Sequence, residues 1–421
     1  MKPCSVFVVL AGLVASVAHA TPEILVTALH GMQWQVRYDL TEPVTRLQFV
    51  RSPDDSRPRT WLPDHGFEIV KTESGDVARR KDGAAFRTVR FRMSPTYSKL
   101  PKDYAPFSPF GDGGMLFHTG RLFACAGDCS DDESWSMDLW ADDEDRIILD
   151  GNALQARAHW TDQGEGRVVY VGKGVAQQTR DFVAVIDAAL PDDIRGRLLL
   201  QLPRFMHLFS SKLGALPRRP MLFVSYDTSY APGWGQQGGV LRDQVFTHFY
   251  GSKWPENVRK PEFVDGLAWH LAHEAAHLYQ RGVFDQEPGD AWIHEGAAEA
   301  FAAIALQPES AQFVRSTRET AASKCAGLIE EKSIRDALAA GKFDAAYKCG
   351  MLLNLTVDAR IRTATGKDGL YAVWGDYLRR LSRKDAVHGE TLYLEAISAV
   401  GGADTAAWLR NAIATPGWRA D

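Results

Sequence analysis

The sequence predicts an α+β protein in which a β-rich, sandwich-like N-terminal part precedes a mainly helical C-terminal part. Three observations carry this. Apolar and polar residues alternate in short runs over the first half, apolar residues recur at helical spacing beyond Pro191, and from about Pro261 the helical pattern continues almost to the end of the chain.

In the first half, Trp34, Val36 and Tyr38 alternate with polar residues, as do Leu47 with Phe49, and Val89, Phe91 and Met93 enclose Arg90 and Arg92. A period of two places one face of each strand in a core and the other in water. Turn-forming pieces such as Ser52-Pro53-Asp54-Asp55 and Phe110-Gly111-Asp112-Gly113-Gly114 separate the runs. Residues 167–171 and 182–186 read as the last strands of this half. Past Pro191, Ile194, Leu198, Leu202, Phe205 and Leu208 mark a helix that Pro203 should kink or restart. A strand at 221–226 and a glycine-rich stretch at 233–239 follow. The expected division is a leader over 1–20, a β-rich domain over 21–188 and a helical domain over 189–421.

The leader has the form of an export signal. Lys2 supplies a positive start, residues 5–18 are almost unbroken apolar, and Ala18-His19-Ala20 has the small-x-small pattern of a cleavage site. Its apolar core is short for a membrane span and no later segment is long enough for one, so a secreted or periplasmic protein starting at Thr21 is expected. An uncleaved N-terminal anchor is the other reading. Cys4 precedes the apolar core, which argues against a lipid-bearing cysteine at the cleavage point. With 421 residues, 45% of them hydrophobic, the chain has material for two or three domains, and a formal charge of -5 gives no reason to expect nucleic acid as a partner. Cys125, Cys129, Cys325 and Cys349 remain after the leader, an even number that suits an oxidising compartment. Four cysteines allow three pairings. The local pairs, Cys125 with Cys129 and Cys325 with Cys349, are favoured, and a cysteine metal site at 125–129 is the competing reading.

The chemistry concentrates in His273-Glu274-Ala275-Ala276-His277. On a helix, residues four apart differ by about 40° in direction and about 6 Å along the axis, so both imidazoles can reach one metal ion. Glu274 is turned by about 100° from His273, so it can face the metal's open position without being a ligand. Val264, Leu267, Leu271, Ala275 and Leu278 form the stripe that would fasten this helix to a core. A second helix, with Asp290 as N-cap, carries Trp292-Ile293-His294-Glu295-Gly296-Ala297-Ala298-Glu299. Glu295 would complete a set of two histidines and one carboxylate, which suits Zn2+ better than calcium or magnesium and leaves a fourth position for water. Gly296, Ala297 and Ala298 are small enough for the second helix to approach the first. Glu299, one turn beyond Glu295, either accepts the free ring N–H of a ligating histidine or is a solvated carboxylate. His270 shares a face with His273, either lining the cleft or standing by, and His294 should point away from the ligands.

His-Glu-x-x-His followed by Trp-x-x-Glu-Gly resembles the gluzincin metallopeptidases, particularly the aminopeptidase N and glycyl aminopeptidase families. The resemblance puts His273, His277 and Glu295 at the zinc ligands and Glu274 at the general base, with one residue fewer between His277 and Glu295 than in aminopeptidase N. It implies a thermolysin-like catalytic domain behind a β-rich one. Tyr347-Lys348-Cys349-Gly350 is similar to the tyrosine-x-x-glycine helix of those families, which makes Tyr347 the donor to the oxyanion. Gly238-Gly239-Val240-Leu241-Arg242 aligns with the strand that binds substrate backbone, so Gly238, Gly239 and Leu241 are the candidate substrate-binding residues. Here it departs from the aminopeptidase N pattern, because Leu241 takes the place of the glutamate that holds the substrate's α-amine. An aliphatic side chain cannot pair with an ammonium ion, so Asp243 or Glu299 would have to substitute. The expected function is hydrolysis of peptides or exposed protein segments by a zinc-activated water. A metal-containing binding or scaffold protein is the alternative from another class.

Overall fold

Alternation builds the first sheets as expected. The structure, a computed structural model, describes residues 21–29, 33–100, 103–127, 129, 133–281, 288–383 and 389–419, and the leader expected over 1–20 lies outside them. The chain forms two compact units, the first comprising residues up to Pro95 with Thr119–Asp142 and Arg157–Gly166. This unit contains a six-stranded sheet in the order Arg157–Gln163, Ser134–Trp140, Glu23–Leu29, Gln33–Val44, Phe86–Met93 and Trp61–Pro63. A four-stranded sheet has the order Ala124–Cys125, Arg46–Phe49, Gly75–Arg80 and Phe67–Thr72.

Trp34, Val36, Tyr38, Val89, Phe91 and Met93 are buried, while Arg90 and Arg92 are exposed. Phe49 joins the two sheets through edge contacts to Tyr38, Phe91 and Trp61, which makes the unit a sandwich. Gln48 breaks the alternation. It is buried, and its amide donates to the carbonyls of Ser74 (2.9 Å) and Asp76 (3.2 Å). Arg57 is buried against Asp76 (2.6 Å) with its guanidinium 4.1 Å from the Phe49 ring centroid.

The second unit takes Thr96–His118, Asp143–Ala156 and Arg167–Asp421. Strands near 168 and 183, read from sequence as closing the first half, hydrogen-bond here. Val168–Gly172 lies in a five-stranded sheet between Arg146–Leu149 and Met115–His118. Val183–Ile186 joins a second sheet, ordered Gln177–Gln178, Val183–Ile186, Met221–Asp227, Gln244–Tyr250 and Gly235–Leu241. The middle three strands are parallel and the edge strand Gly235–Leu241 is antiparallel to its neighbour. All four residues of Val183–Ile186 are buried, as a parallel strand covered on both faces requires. Local alternation says nothing about such a strand's partners.

Ala184, Leu222, Val224, Val245 and Phe249 turn towards the helices, and Val183, Val185, Phe223, Leu241 and Phe246 form a separate core on the other face. The helix Asp192–Leu213 buries Ile194, Leu198, Leu202 and Phe205 and runs through Pro203 without ending. Helices then dominate to Ala403–Ala414, and no helix among the described residues is long and apolar enough to cross a membrane. Cys125 pairs with Cys129 and Cys325 with Cys349, so the cysteine metal site at 125–129 does not arise.

His248, in the strand next to the edge, is buried under the Tyr97 ring (3.9 Å) and bonded through Nδ1 to Ser225 Oγ (2.7 Å). Burial pushes its pKa from 6.5 down to about 4. The unfolded chain therefore binds a proton in this window that the folded chain does not. Stability contributed by the neutral ring is present above 6.5 and is lost as pH falls towards 4, by about 3 kcal/mol. Urea unfolding at pH 7 and pH 4.5 should show this loss in the parent and a smaller one in His248→Gln. Equal losses would assign the acid sensitivity elsewhere.

Candidate metal centre

Three helices of the second unit build the site. The first, Pro261–Tyr279, carries His270, His273, Glu274 and His277. The second, Ala291–Leu306, carries His294, Glu295 and Glu299, and the third, Asp344–Thr365, carries Tyr347. Leu267, Leu271, Ala275 and Leu278 are buried as the stripe required, and Val264 is half-buried. Asp290 stands at the N-cap of the second helix but makes no capping bond. Its carboxylate instead accepts from the Glu390 N–H (3.1 Å), a partner 100 residues away that no local pattern reveals.

The ligand atoms of His273, His277 and Glu295 all lie within 4.8 Å of one another. His273 Nε2 is 3.0 Å from His277 Nε2, and Glu295 Oε2 is 3.3 Å and 3.4 Å from these two atoms. A zinc ion with bonds of about 2.0–2.1 Å in tetrahedral geometry separates its ligand atoms by roughly 3.3 Å, so the donor set fits. His277 Nδ1 lies 2.6 Å from Gln280 Oε1, an amide oxygen that only accepts, so Nδ1 carries the proton and Nε2 presents a lone pair. Gln280 is held in turn by donating to the His294 carbonyl (2.9 Å). Two ring nitrogens at 3.0 Å need a cation or a proton between them. Burial resists charging of His273, yet the adjoining Glu295 carboxylate and the charges of Glu299 and Glu274 raise its pKa to about 9. Burial alone would raise the Glu295 carboxyl, but His277 and His273 hold it well below the usual range.

Around this set, Glu274 is buried and its Oε2 has no hydrogen-bond partner. The Tyr347 ring lies 5.9 Å from that of His273, nearly parallel. Burial, then the charges of Glu295 and Glu274, push the Tyr347 phenol far up, so it stays a donor. Glu299 is buried rather than solvated. It accepts from Trp269 Nε1 (2.6 Å), and its other oxygen is 3.9 Å from Lys348 Nζ and 4.0 Å from the unpartnered His273 Nδ1. His294 does not point away from the ligands as expected. Its ring stacks on His277 at 4.2 Å with Nδ1 3.8 Å from Glu295 Oε1. Burial and the neighbouring His277 push its pKa down to about 3, which makes it a neutral packing partner.

Gly296 serves a different contact from the one expected. A Cβ there would come within 2.5 Å of the Gly350 backbone, and one on Gly350 within 2.9 Å of Gly296 Cα. The glycine thus admits the third helix, not the first, and brings Tyr347 to the histidines. Trp269, Gln280 and Lys348 were given no role from the sequence, and Gly350 was read as part of the Tyr347 motif without its contact to Gly296. Trp269 is four residues before His273 and Gln280 three after His277, so helical spacing alone would have placed them on the same face.

Gly238, Gly239 and Leu241 lie in the edge strand. A Cβ at Gly238 would stand 2.8 Å from Thr247 Oγ1, and one at Gly239 would stand 2.6 Å from the Tyr104 ring. Leu241 is buried in the core with Phe223 and Phe246, so only its main chain remains for a ligand.

No family model matches the sequence, and no curated protein was found to match it. Among solved structures, the chain is similar to a two-domain M1 zinc metallopeptidase, a mutant bound to L-arginine. The TM-score is 0.52 and the identity 15%, with 94% of this chain and 95% of that one covered. The resemblance to the gluzincin metallopeptidases holds at the level of the fold. Native yeast LTA4 hydrolase is similar at TM-score 0.57 and 11% identity, over 94% of this chain and 67% of that one. A second structure, native leukotriene A4 hydrolase from Saccharomyces cerevisiae, gives 0.56 and 11%, over 96% and 69%.

Two substitutions test the architecture. Gly296→Ala should lower the unfolding free energy by about 2 kcal/mol through overpacking against Gly350, measured by urea denaturation. Glu299→Ala should weaken zinc binding by about 10–100-fold in competition with a chelator. An unchanged affinity would mean that Glu299 serves Trp269 and Lys348 alone.

Proposed function

We propose that the protein is an exported zinc peptidase in which His273, His277 and Glu295 hold the metal, Glu274 is the general base and Tyr347 is the electrophilic donor. The observation that carries this reading is the arrangement around Glu295. Three ligand atoms converge within 4.8 Å, and Glu274, the residue after His273, carries a buried carboxylate oxygen without a partner. The M1 zinc metallopeptidase fold supports the same assignment.

Zinc bound there would polarise a substrate carbonyl and acidify a water in its open position. Glu274 takes the proton at Oε2 and hands it to the departing amine. Tyr347, kept protonated by its surroundings, donates to the carbonyl oxygen as charge develops on it. The substrate backbone adds to the outer edge of Gly235–Leu241, which has no further strand beside it among the described residues. Export rests on the leader of residues 1–20, and the two disulfides are compatible with an oxidising compartment.

Digestion of a mixed peptide library by the zinc-loaded protein tests this reading. Cleavage should vanish with Glu274→Gln and fall by about a hundredfold with Tyr347→Phe, because each group acts mainly in the transition state. Zinc content should remain in both. Products shortened stepwise from a free N-terminus, and blocked by acetylation, would make it an aminopeptidase. Cuts within acetylated peptides would make it an endopeptidase. Zinc bound with no cleavage of any peptide would favour the scaffold protein.

A further inference from the structure

His270 contacts groups on both sides. Its Nε2 lies 3.3 Å from Thr247 Oγ1, on the strand Gln244–Tyr250, and its Nδ1 lies 3.5 Å from Glu274 Oε1. A Cβ on Gly238 of the edge strand would stand 2.8 Å from the Thr247 hydroxyl, so the glycine leaves that hydroxyl its room. The ring therefore spans from the sheet to the carboxylate.

The chemistry settles the direction of both contacts. An ionised carboxylate only accepts, so the nitrogen facing it must be Nδ1–H. Nε2 is then a lone pair, and the Thr247 hydroxyl donates to it. Burial holds the ring neutral, which this arrangement needs. A glutamate's terminal torsion is broad and roughly two-fold, so a carboxylate anchored at neither oxygen can exchange them freely. Here Oε1 faces His270, and Oε2 is buried without a partner.

We propose that His270 is a positioning residue for Glu274: held by Thr247, it fixes Oε1 and leaves Oε2 as the oxygen that accepts the proton. This deepens the peptidase reading and rests on it for its meaning in catalysis. It also explains a histidine three residues before His273 that the metal set does not use. The Asn side chain offers an N–H near the place of Nδ1, whereas the Gln amide lies nearer the place of Nε2.

The test measures binding of a dipeptidyl hydroxamate to the zinc-loaded protein by calorimetry, since that probe chelates zinc and donates a proton to an adjacent carboxylate. Zinc content and thermal unfolding are recorded for every variant. Glu274→Ala should weaken the probe by about tenfold or more, and His270→Ala by about tenfold, the scale of one hydrogen bond to a charged group. His270→Asn should recover most of the loss and His270→Gln should not, with zinc content unchanged throughout. Parent-like binding by His270→Ala, or no advantage of Asn over Gln, would overturn the proposal. If Glu274→Ala also binds like the parent, the base assignment of the peptidase reading fails instead. Nitrogen-15 spectra of the zinc-free protein decide the contact independently of activity. His270 should be the Nδ1–H tautomer, with its Nε2 signal shifted in Thr247→Val, and the Nε2–H tautomer would overturn the proposal.

Discussion

The site depends on how closely two helices cross. Gly296 and Gly350 face each other with no side chain between them, and a Cβ on either would collide with the opposing backbone. Glu295 is the residue before one glycine and Tyr347 stands three before the other. A crossing wider by one methyl group would therefore carry the carboxylate and the phenol apart. Asn354 locks the same crossing, because its amide donates to the Trp292 carbonyl (3.2 Å) and the Gly350 carbonyl (2.9 Å). Tyr393 secures Asn354 in turn by donating to its side-chain oxygen (2.6 Å).

Placing this many ionisable groups in an apolar helical core is costly unless each is paired. Neighbours meet most of that requirement. Gln280 orients His277, Trp269 and Lys348 hold Glu299, and His270 faces Glu274. Of the fully buried side-chain atoms of this site, His273 Nδ1, Glu274 Oε2 and Glu295 Oε2 have no hydrogen-bond partner. The last two are oxygens that metal binding and proton transfer would employ. A cation bound between His273, His277 and Glu295 would satisfy the Glu295 oxygen.

Much of this was legible from sequence because it depends on short spacing. Histidines four apart on a helix share a face whatever the rest of the chain does, and alternation in 34–38 and 89–93 sorts residues between core and water in any sheet. Contacts that close over long separations were not legible. Asp290 reads as a cap and instead bonds Glu390, and His294 reads as turned away yet stacks on His277. Val183–Ile186 reads as the end of one half but pairs in parallel with Met221–Asp227.

The sequence by itself determined the periodicities, the His-Glu-x-x-His turn and the small residues after Glu295, since each is a property of a few neighbouring residues. Tertiary structure decided which helix Gly296 admits, which oxygen of Glu274 faces His270, and that Leu241 lies in a core. Those outcomes follow from packing between segments tens of residues apart, where a difference of about one ångström determines which atoms meet.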